Sequence, residues 1–323
     1  MDWLLLIAGL VVLLAGGEAL VRGATALARS FGVSSMVIGM TVLAFGTSAP
    51  ELAVNISAAA SGRSALTFGN VVGSNIANVG LILGITAIVQ TLRIHRTIVT
   101  REIPIMLGAT VLMIFLGSDW VLGNAPDRFG WVDGVLLLLA FAAFLFVTVR
   151  NALKARKDDQ FIRDAEKEHD ESVPLKPFAT VLLTVAGLTG VLLGSHWTVE
   201  GATRVAQALG MSEALIGLTI VAIGTSLPEL TTSLFAALKG HADLAMGNIV
   251  GSNVFNLLFI LGVSATIHAV PVPDSRGRVD LLALLVFSAI LLPFTITRRK
   301  LRRAEGTLLL AGYIAFMVWR TFF

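Results

Sequence analysis

Residues 39–84 and 217–262 are one segment written twice. Aligned without a gap at a constant offset of 178, they agree at 23 of 46 positions. The first copy carries Gly46-Thr47-Ser48-Ala49-Pro50-Glu51, then Gly69-Asn70, Gly73-Ser74-Asn75 and Asn78. The second carries Gly224-Thr225-Ser226-Leu227-Pro228-Glu229, then Gly247-Asn248, Gly251-Ser252-Asn253 and Asn256. The repeat continues upstream, where Gly23-Ala24-Thr25 matches Gly201-Ala202-Thr203 and Gly32 matches Gly210. Any fold for this chain must therefore place two copies of a carboxylate, a proline and a polar stripe inside two apolar stretches.

The medium is set by composition. Hydrophobic residues make up 55% of the chain, charged residues 14%, and mean hydropathy is +0.84. The apolar stretches match the roughly 20 residues needed to cross a bilayer. The lipid bilayer is thus the expected surroundings. A net charge of +3 does not point to nucleic acid, because the basic residues lie in short loops between apolar segments, where they set orientation. No cysteine is present, which excludes disulfides and thiolate metal sites. Met1-Asp2-Trp3 lacks the basic region of a signal peptide, so the first apolar stretch is expected to stay as a helix.

Ten spans are expected, at about 3–21, 35–60, 66–90, 98–117, 131–149, 178–200, 213–238, 244–268, 279–297 and 305–322. Between the fifth and sixth lies a soluble stretch from Arg150 to Lys176 with seven basic and seven acidic residues. The expected fold is all-α: residues 1–150 form one five-helix repeat, 151–177 a solvated, partly helical linker, and 178–323 a second repeat. An odd number of spans per repeat makes the second copy enter the membrane inverted, as in alternating-access transporters. Eighteen of the 24 Lys and Arg residues lie on the face opposite the N-terminus. That bias predicts a multi-pass cell-membrane protein with both termini outside and the linker in the cytoplasm. Trp3, Trp120, Trp131 and Trp319 fall near span ends, as an interfacial aromatic belt requires.

Glu51 and Glu229 carry the functional signal. A charge deep in a span costs at least about 2.5 kcal/mol on insertion scales, so such residues face a cavity or a partner. The adjacent core segments offer no Lys or Arg to pair with them. Pro50 and Pro228 each remove a backbone hydrogen bond and displace the carbonyl four residues back, which loosens nearby carbonyls such as those of Ala44 and Ala222. Thr47 and Glu51 share a helix face, with Ser48 beside them, and Thr225, Ser226 and Glu229 repeat this. Asn70, Ser74 and Asn78 form a stripe on the next helix, matched by Asn248, Ser252 and Asn256. Every donor is oxygen, which selects hard cations such as Na⁺, Ca²⁺ or Mg²⁺. The Gly69/Gly73 and Gly247/Gly251 pairs are small-residue motifs expected to let helices approach. Glu18 and Arg22 read as a local ion pair, with His196 and Glu200 in the same places of the second half. Asp243, ahead of a span, reads as interfacial.

At these residues the chain resembles the cation/Ca²⁺ antiporter superfamily, specifically the prokaryotic sodium/calcium exchanger family. The likeness covers nearly the whole chain, and the paired Gly-Thr-Ser-x-Pro-Glu and Gly-Asn-x-Val-Gly-Ser-Asn signatures carry it. The resemblance implies that Thr47, Ser48, Glu51, Ser74 and Asn78, with Thr225, Ser226, Glu229, Ser252 and Asn256, surround adjacent sites for Na⁺ and Ca²⁺. It implies the carbonyls of Ala44 and Ala222 as further sodium ligands, the first and sixth spans as a sliding gate, no cofactor, and one chain as a complete transporter. Some prokaryotic relatives have Asp where this chain has Asn256, so formal site charge here is −2, from Glu51 and Glu229.

The function expected is electrogenic Na⁺/Ca²⁺ antiport rather than enzymatic catalysis. The nearest alternative is an H⁺/Ca²⁺ antiporter of the same superfamily; the Thr-Ser pairs favour sodium, because hydroxyls help to build monovalent sites that protons do not need. An intramembrane aspartyl protease is disfavoured by glutamates in place of aspartates. A passive channel is disfavoured by inverted halves without a continuous pore lining.

Overall fold

The computed structural model describes residues 2–118, 127–155, 177–211, 224–296 and 298–322. The chain is mostly helical. In chain order the long elements are α1 (Asp2–Phe31), α2 (Ser35–Thr47), α3 (Ala49–Ala60), α4 (Ala65–Val89), α5 (Ile98–Leu116), α6 (Trp131–Ala155) and α7 (Pro177–Ala208). They are followed by α8 (Leu227–Leu238), α9 (Ala242–Ile267), α10 (Asp274–Ile296) and α11 (Arg303–Phe322). Among the described residues seven helices are long and apolar enough to cross a membrane, or eight when α2 and α3 count as one broken span. The expected linker falls almost wholly outside the described residues, as do Trp120, Ala222 and the first part of the expected seventh span.

The boundaries expected from sequence hold closely, with two corrections. Helices α1 and α7 run on to Phe31 and Ala208, well past residues 21 and 200. Charged residues at their ends pair along the helix and keep it going: Arg22 with Glu18 at 2.7 Å, and Arg204 with Glu200 at 2.5 Å. The second correction concerns Pro50. It does not kink a continuous helix; it stands in the first turn of α3, after a break at Ser48 (φ −85°, ψ 7°). Proline suits a helix start, where its missing N–H has no partner to lose. Pro228 sits likewise in the first turn of α8 after Ser226 (φ −94°, ψ 4°). Among the described residues, Pro104 of α5 and Pro293 of α10 lie past the first turn of their helices. Helix ends are also set by glycine: Gly32 and Gly210 adopt positive φ, and the following N–H reaches back to Ala28 and Ala206 respectively.

The chain forms two compact units. One comprises Met1–Thr47 and Arg150–Asn248, the other Ser48–Val149 and Ile249–Phe323. The first unit is built on α1 against α7. Gly9 faces Thr198, Gly16 faces Val191 and Gly23 faces Thr184, so the helices run antiparallel. Reciprocally, Gly187, Gly194 and Gly201 of α7 lie against the backbones of Leu20, Leu13 and Leu6. Both glycine series repeat every seven residues, and a Cβ at Gly9 or Gly16 would stand 2.5 Å from the backbone nitrogen opposite. In lipid, where burial of apolar surface gives no advantage over the solvent, this backbone approach is what holds two helices together. The same unit contains a second close approach, between Gly39 of α2 and the Leu244 carbonyl, and between Gly247 of α9 and the Met36 carbonyl.

In the second unit α4 packs against α11 through Gly80, Gly84 and Gly306, and α6 packs against the last turns of α9 through Gly134 and Gly262. Two short antiparallel ribbons tie helix ends. Strand β1 (Leu92–Arg93) pairs with β4 (Lys300–Leu301), and β2 (Arg128–Phe129) pairs with β3 (Val270–Pro271). Thr110 of α5 and Ser288 of α10 meet with hydroxyls 3.3 Å apart. Gly69 and Gly73 do not behave as expected from their spacing. They lie on an exposed face of α4, and a Cβ there would meet none of the described residues within 4 Å.

Gly16→Ala and Gly194→Ala are predicted to lower the thermal midpoint of the detergent-solubilised protein, since overpacking a tight contact costs about 1–3 kcal/mol. Gly108→Ala, where a Cβ meets nothing within 4 Å, should cost nothing. Equal tolerance at all three positions in a thermal-shift measurement would contradict the proposed basis of the α1–α7 contact.

Candidate functional site

The unit boundaries fall inside both motifs, so each unit holds its own polar set. In the first unit Thr47 is fully buried at the end of α2. Its Oγ1 lies 3.0 Å from the Leu43 carbonyl and 3.4 Å from Asn248 Oδ1. The Asn248 amide nitrogen donates to Ser233 Oγ on α8 at 3.1 Å. Glu229, 2% exposed, occupies the first turn of α8, directly after buried Ser226 and Pro228. Thr231, Thr232 and Ser233 continue the buried polar face of that helix. Gly17 of α1 lies against Thr231 and Phe235 of α8, so α1 packs directly on the helix that carries Glu229. Thr225 is half-buried, and Ala44 is buried within α2.

The second unit holds the mirror set. Glu51, also 2% exposed, stands in the first turn of α3, behind buried Ser48. The positive end of a helix dipole favours a carboxylate at this place. Helix α3 packs against α4 and against the Phe255–Ile267 part of α9. On α4, Ser74 is buried and its hydroxyl donates to Asn70 Oδ1 at 3.1 Å. The buried Asn78 amide nitrogen donates to Asn253 Oδ1 at 3.0 Å. From α9 come Ser252, Asn253 and Asn256, all buried. Both Asn78 and Asn256 lie in π-helical turns, Asn78–Leu83 and Phe255–Ile260. Such a turn inserts a residue into the helix and is often found at functional sites.

Four oxygens of this second set have no hydrogen-bond partner among the described residues: Oδ1 of Asn55, Asn75 and Asn256, and Oγ of Ser252. All four residues are buried or nearly so, Asn75 and Ser252 completely. The amide nitrogens of Asn55 and Asn75 are satisfied, by the carbonyls of Glu51 and Val71 at 2.7 Å each. Those bonds leave each amide presenting its oxygen. An unpaired buried acceptor costs about 1–3 kcal/mol, so four of them in the unit that holds Glu51 call for electropositive partners. The donor chemistry is hard oxygen throughout, of the kind that suits alkali and alkaline-earth cations.

Glu51, Ser48, Ser74, Asn78, Ser252 and Asn256 thus belong to one unit, and Thr47, Ser226, Glu229 and Ala44 to the other. Ala222 is outside the described residues. Four participants were not singled out from the sequence as ligand candidates: Asn55, Asn75, Ser233 and Asn253. Asn55 lies four residues after Glu51 on the same helix face, and Ser233 stands in the same relation to Glu229; that spacing is the signal by which both are legible. Glu18 and Arg22 pair as expected, and Glu18 also accepts from Lys239 at 3.0 Å. His196 lies 3.7 Å from Glu200.

Comparison with known proteins gives the family. The family model described as sodium/calcium exchanger protein matches residues 1–150 and 179–322. The chain is 39% identical to a protein of Alkalimonas amylolytica named as an antiporter, CaxA, over 95% of each chain. It is 33% identical to the sodium/calcium exchanger MaX1 of Methanosarcina acetivorans, over 98% of this chain and 97% of that one. It is 34% identical to the inner membrane protein YrbG of Escherichia coli, over 97% and 94%. Among solved structures, the sodium-calcium exchanger NCX_Mj superposes with a TM-score of 0.81 at 33% identity, covering 98% of both chains. The chain is a multi-pass membrane protein and belongs to the sodium/calcium exchanger family.

Proposed function

We propose that this protein is an electrogenic antiporter that exchanges about three Na⁺ for each Ca²⁺ by alternating access. The observation that carries the reading is the buried, all-oxygen set in the unit that holds Glu51, with four acceptors that no donor among the described residues satisfies. Cations are the partners such oxygens suit, whereas a proton on Glu51 would satisfy at most one of them. The set in the first unit supplies the other carboxylate, Glu229, with Thr47, Thr225 and Ser226. Each set is proposed to bind the transported Na⁺ and Ca²⁺, with the carbonyls of Ala44 and Ala222 as further sodium ligands. With Asn at 256, formal charge is −2. Bound Ca²⁺ is then balanced and bound Na⁺ leaves about one positive charge, so each cycle moves one charge, worth about 2.3 kcal/mol per 100 mV.

Two inverted five-helix repeats, 1–150 and 178–323, are proposed as the scaffold. Three features within the second unit support that reading. Thr110 and Ser288, which touch, are equivalent at the offset of 178. Strands β1 and β3 are equivalent at the same offset, and each pairs with the strand that leads into the fifth helix of the other repeat. The α4–α11 contact at Gly84 and Gly306 is matched by the α9–α6 contact at Gly262 and Gly134. Ten spans, outside termini, a cytoplasmic linker and a functional single chain complete the proposal.

The decisive assay is ⁴⁵Ca²⁺ uptake by proteoliposomes loaded with Na⁺ and diluted into Na⁺-free buffer. Uptake should require internal Na⁺, rise with an inside-positive potential, and vanish in Glu51→Gln and in Glu229→Gln. Uptake driven by a pH gradient and indifferent to Na⁺ would assign the proton-coupled branch instead. Thr47→Val removes a hydroxyl with little change in shape. It should raise the Na⁺ concentration that half-inhibits Ca²⁺ binding about tenfold, the equivalent of one lost ligand worth about 1.4 kcal/mol, while Ca²⁺ affinity changes less. An equal loss for both ions would remove Thr47 from a sodium-specific role.

A further inference from the structure

The two ribbons of the second unit differ in charge. Around β2–β3 two of the cations are neutralised, while Arg128 and Arg276 form no ion pair among the described residues. Arg278 bonds Asp127 at 3.1 Å, and Arg320 bonds Asp280 at 2.8 Å. Around β1–β4, Arg93 and Lys300 are direct cross-strand partners, both exposed, with Arg96, Arg298, Arg299, Arg302 and Arg303 on the flanking turns. None of these seven forms an ion pair among the described residues. The nearby carboxylates are engaged elsewhere: Glu102 by Arg101, and Glu305 by the Arg302 backbone N–H at 2.6 Å.

Like charges set directly opposite each other destabilise a ribbon. This one is nevertheless fixed. Leu92 pairs with Leu301, and both are fully buried. The Ile94 N–H donates to the Arg299 carbonyl at 2.8 Å, and Arg299 itself holds φ at 47°, a conformation few non-glycine residues adopt. A positive-inside bias accounts for cations on this face, but not for pinning Arg93 against Lys300 on a rigid hairpin without a carboxylate. The ribbon also lies within a few residues of four helix ends, those of α4, α5, α10 and α11.

We infer that the β1–β4 ribbon is a binding surface for the phosphate of anionic lipids, with Arg93 and Lys300 as its centre. Clustered Lys and Arg beside span ends are the recognised chemistry for such headgroups. The inference does not depend on which ion the protein transports.

The test is native mass spectrometry of the purified full chain titrated with phosphatidylglycerol or phosphatidylcholine. Phosphatidylglycerol should bind preferentially. Its apparent affinity should fall at least about tenfold in Arg93→Gln/Lys300→Gln, as expected for two cations near an anionic surface, and not in Arg128→Gln on the other ribbon. Arg96→Gln/Arg303→Gln reads the same surface without altering the paired strands, should either strand substitution impair folding. Equal binding by wild type and both double variants overturns the proposal, as does an equal fall in Arg128→Gln, which would mean diffuse charge attraction. If wild type binds phosphatidylglycerol only after Asp158, Asp159, Asp164 and Glu166 of the linker are neutralised, the linker is the occupant and the proposal fails.

Discussion

A carboxylate buried in a chain built for lipid is the constraint to which the rest of the structure answers. Glu51 and Glu229 are each 2% exposed, and each opens a helix whose start is marked by Ser-x-Pro. Ending one helix just before the carboxylate and starting another there gives the charge a dipole end and frees oxygens that an unbroken helix would consume. Such irregular backbone at membrane depth persists only where protein or a polar occupant satisfies it. The threonine, serine and asparagine stripes on the neighbouring helices are the protein's part of that satisfaction. The four unpartnered oxygens in the second unit mark where protein alone does not suffice.

Polar helices of this kind need scaffolding that does not rely on the hydrophobic effect. The α1–α7 pair supplies it by removing side chains: three glycines on each helix, seven residues apart, bring backbones into direct contact. The pair buries no charged side chain, and hydroxyls of both helices bond their own carbonyls, as Thr25 does at Val21 and Thr198 at Gly194. The smooth, antiparallel glycine seam suits a pair that moves as one piece, consistent with the proposed role of these two spans as a gate.

Much of this was legible from the repeat. The twin glutamates, the broken helix at Pro50, and the Ser74/Asn78 and Ser252/Asn256 stripes all follow from residue type and spacing, and the structure buries every one of these serines and asparagines. What sequence spacing misread were places where a partner decides the outcome. Gly69-xxx-Gly73 and Gly247-xxx-Gly251 are the same motif on paper; Gly247 meets the Met36 carbonyl, while Gly69 meets no described residue. Asn70 and Asn248 are equivalent too, yet one accepts from Ser74 on its own helix and the other joins Thr47 to Ser233 across three elements. The ribbons were invisible, since two-residue strands carry no periodicity. The long ends of α1 and α7 were missed because charged residues that end an apolar run need not end a helix.

Direct competition at equilibrium tests the central claim most closely. ⁴⁵Ca²⁺ binding to the purified protein would be measured while Na⁺ is raised at constant ionic strength and constant pH. The account predicts that Na⁺ displaces Ca²⁺ cooperatively, with a Hill coefficient above one, and that Glu51→Gln abolishes Ca²⁺ binding while the protein stays folded. Ca²⁺ binding that persists in Glu51→Gln, or that ignores Na⁺, would contradict it.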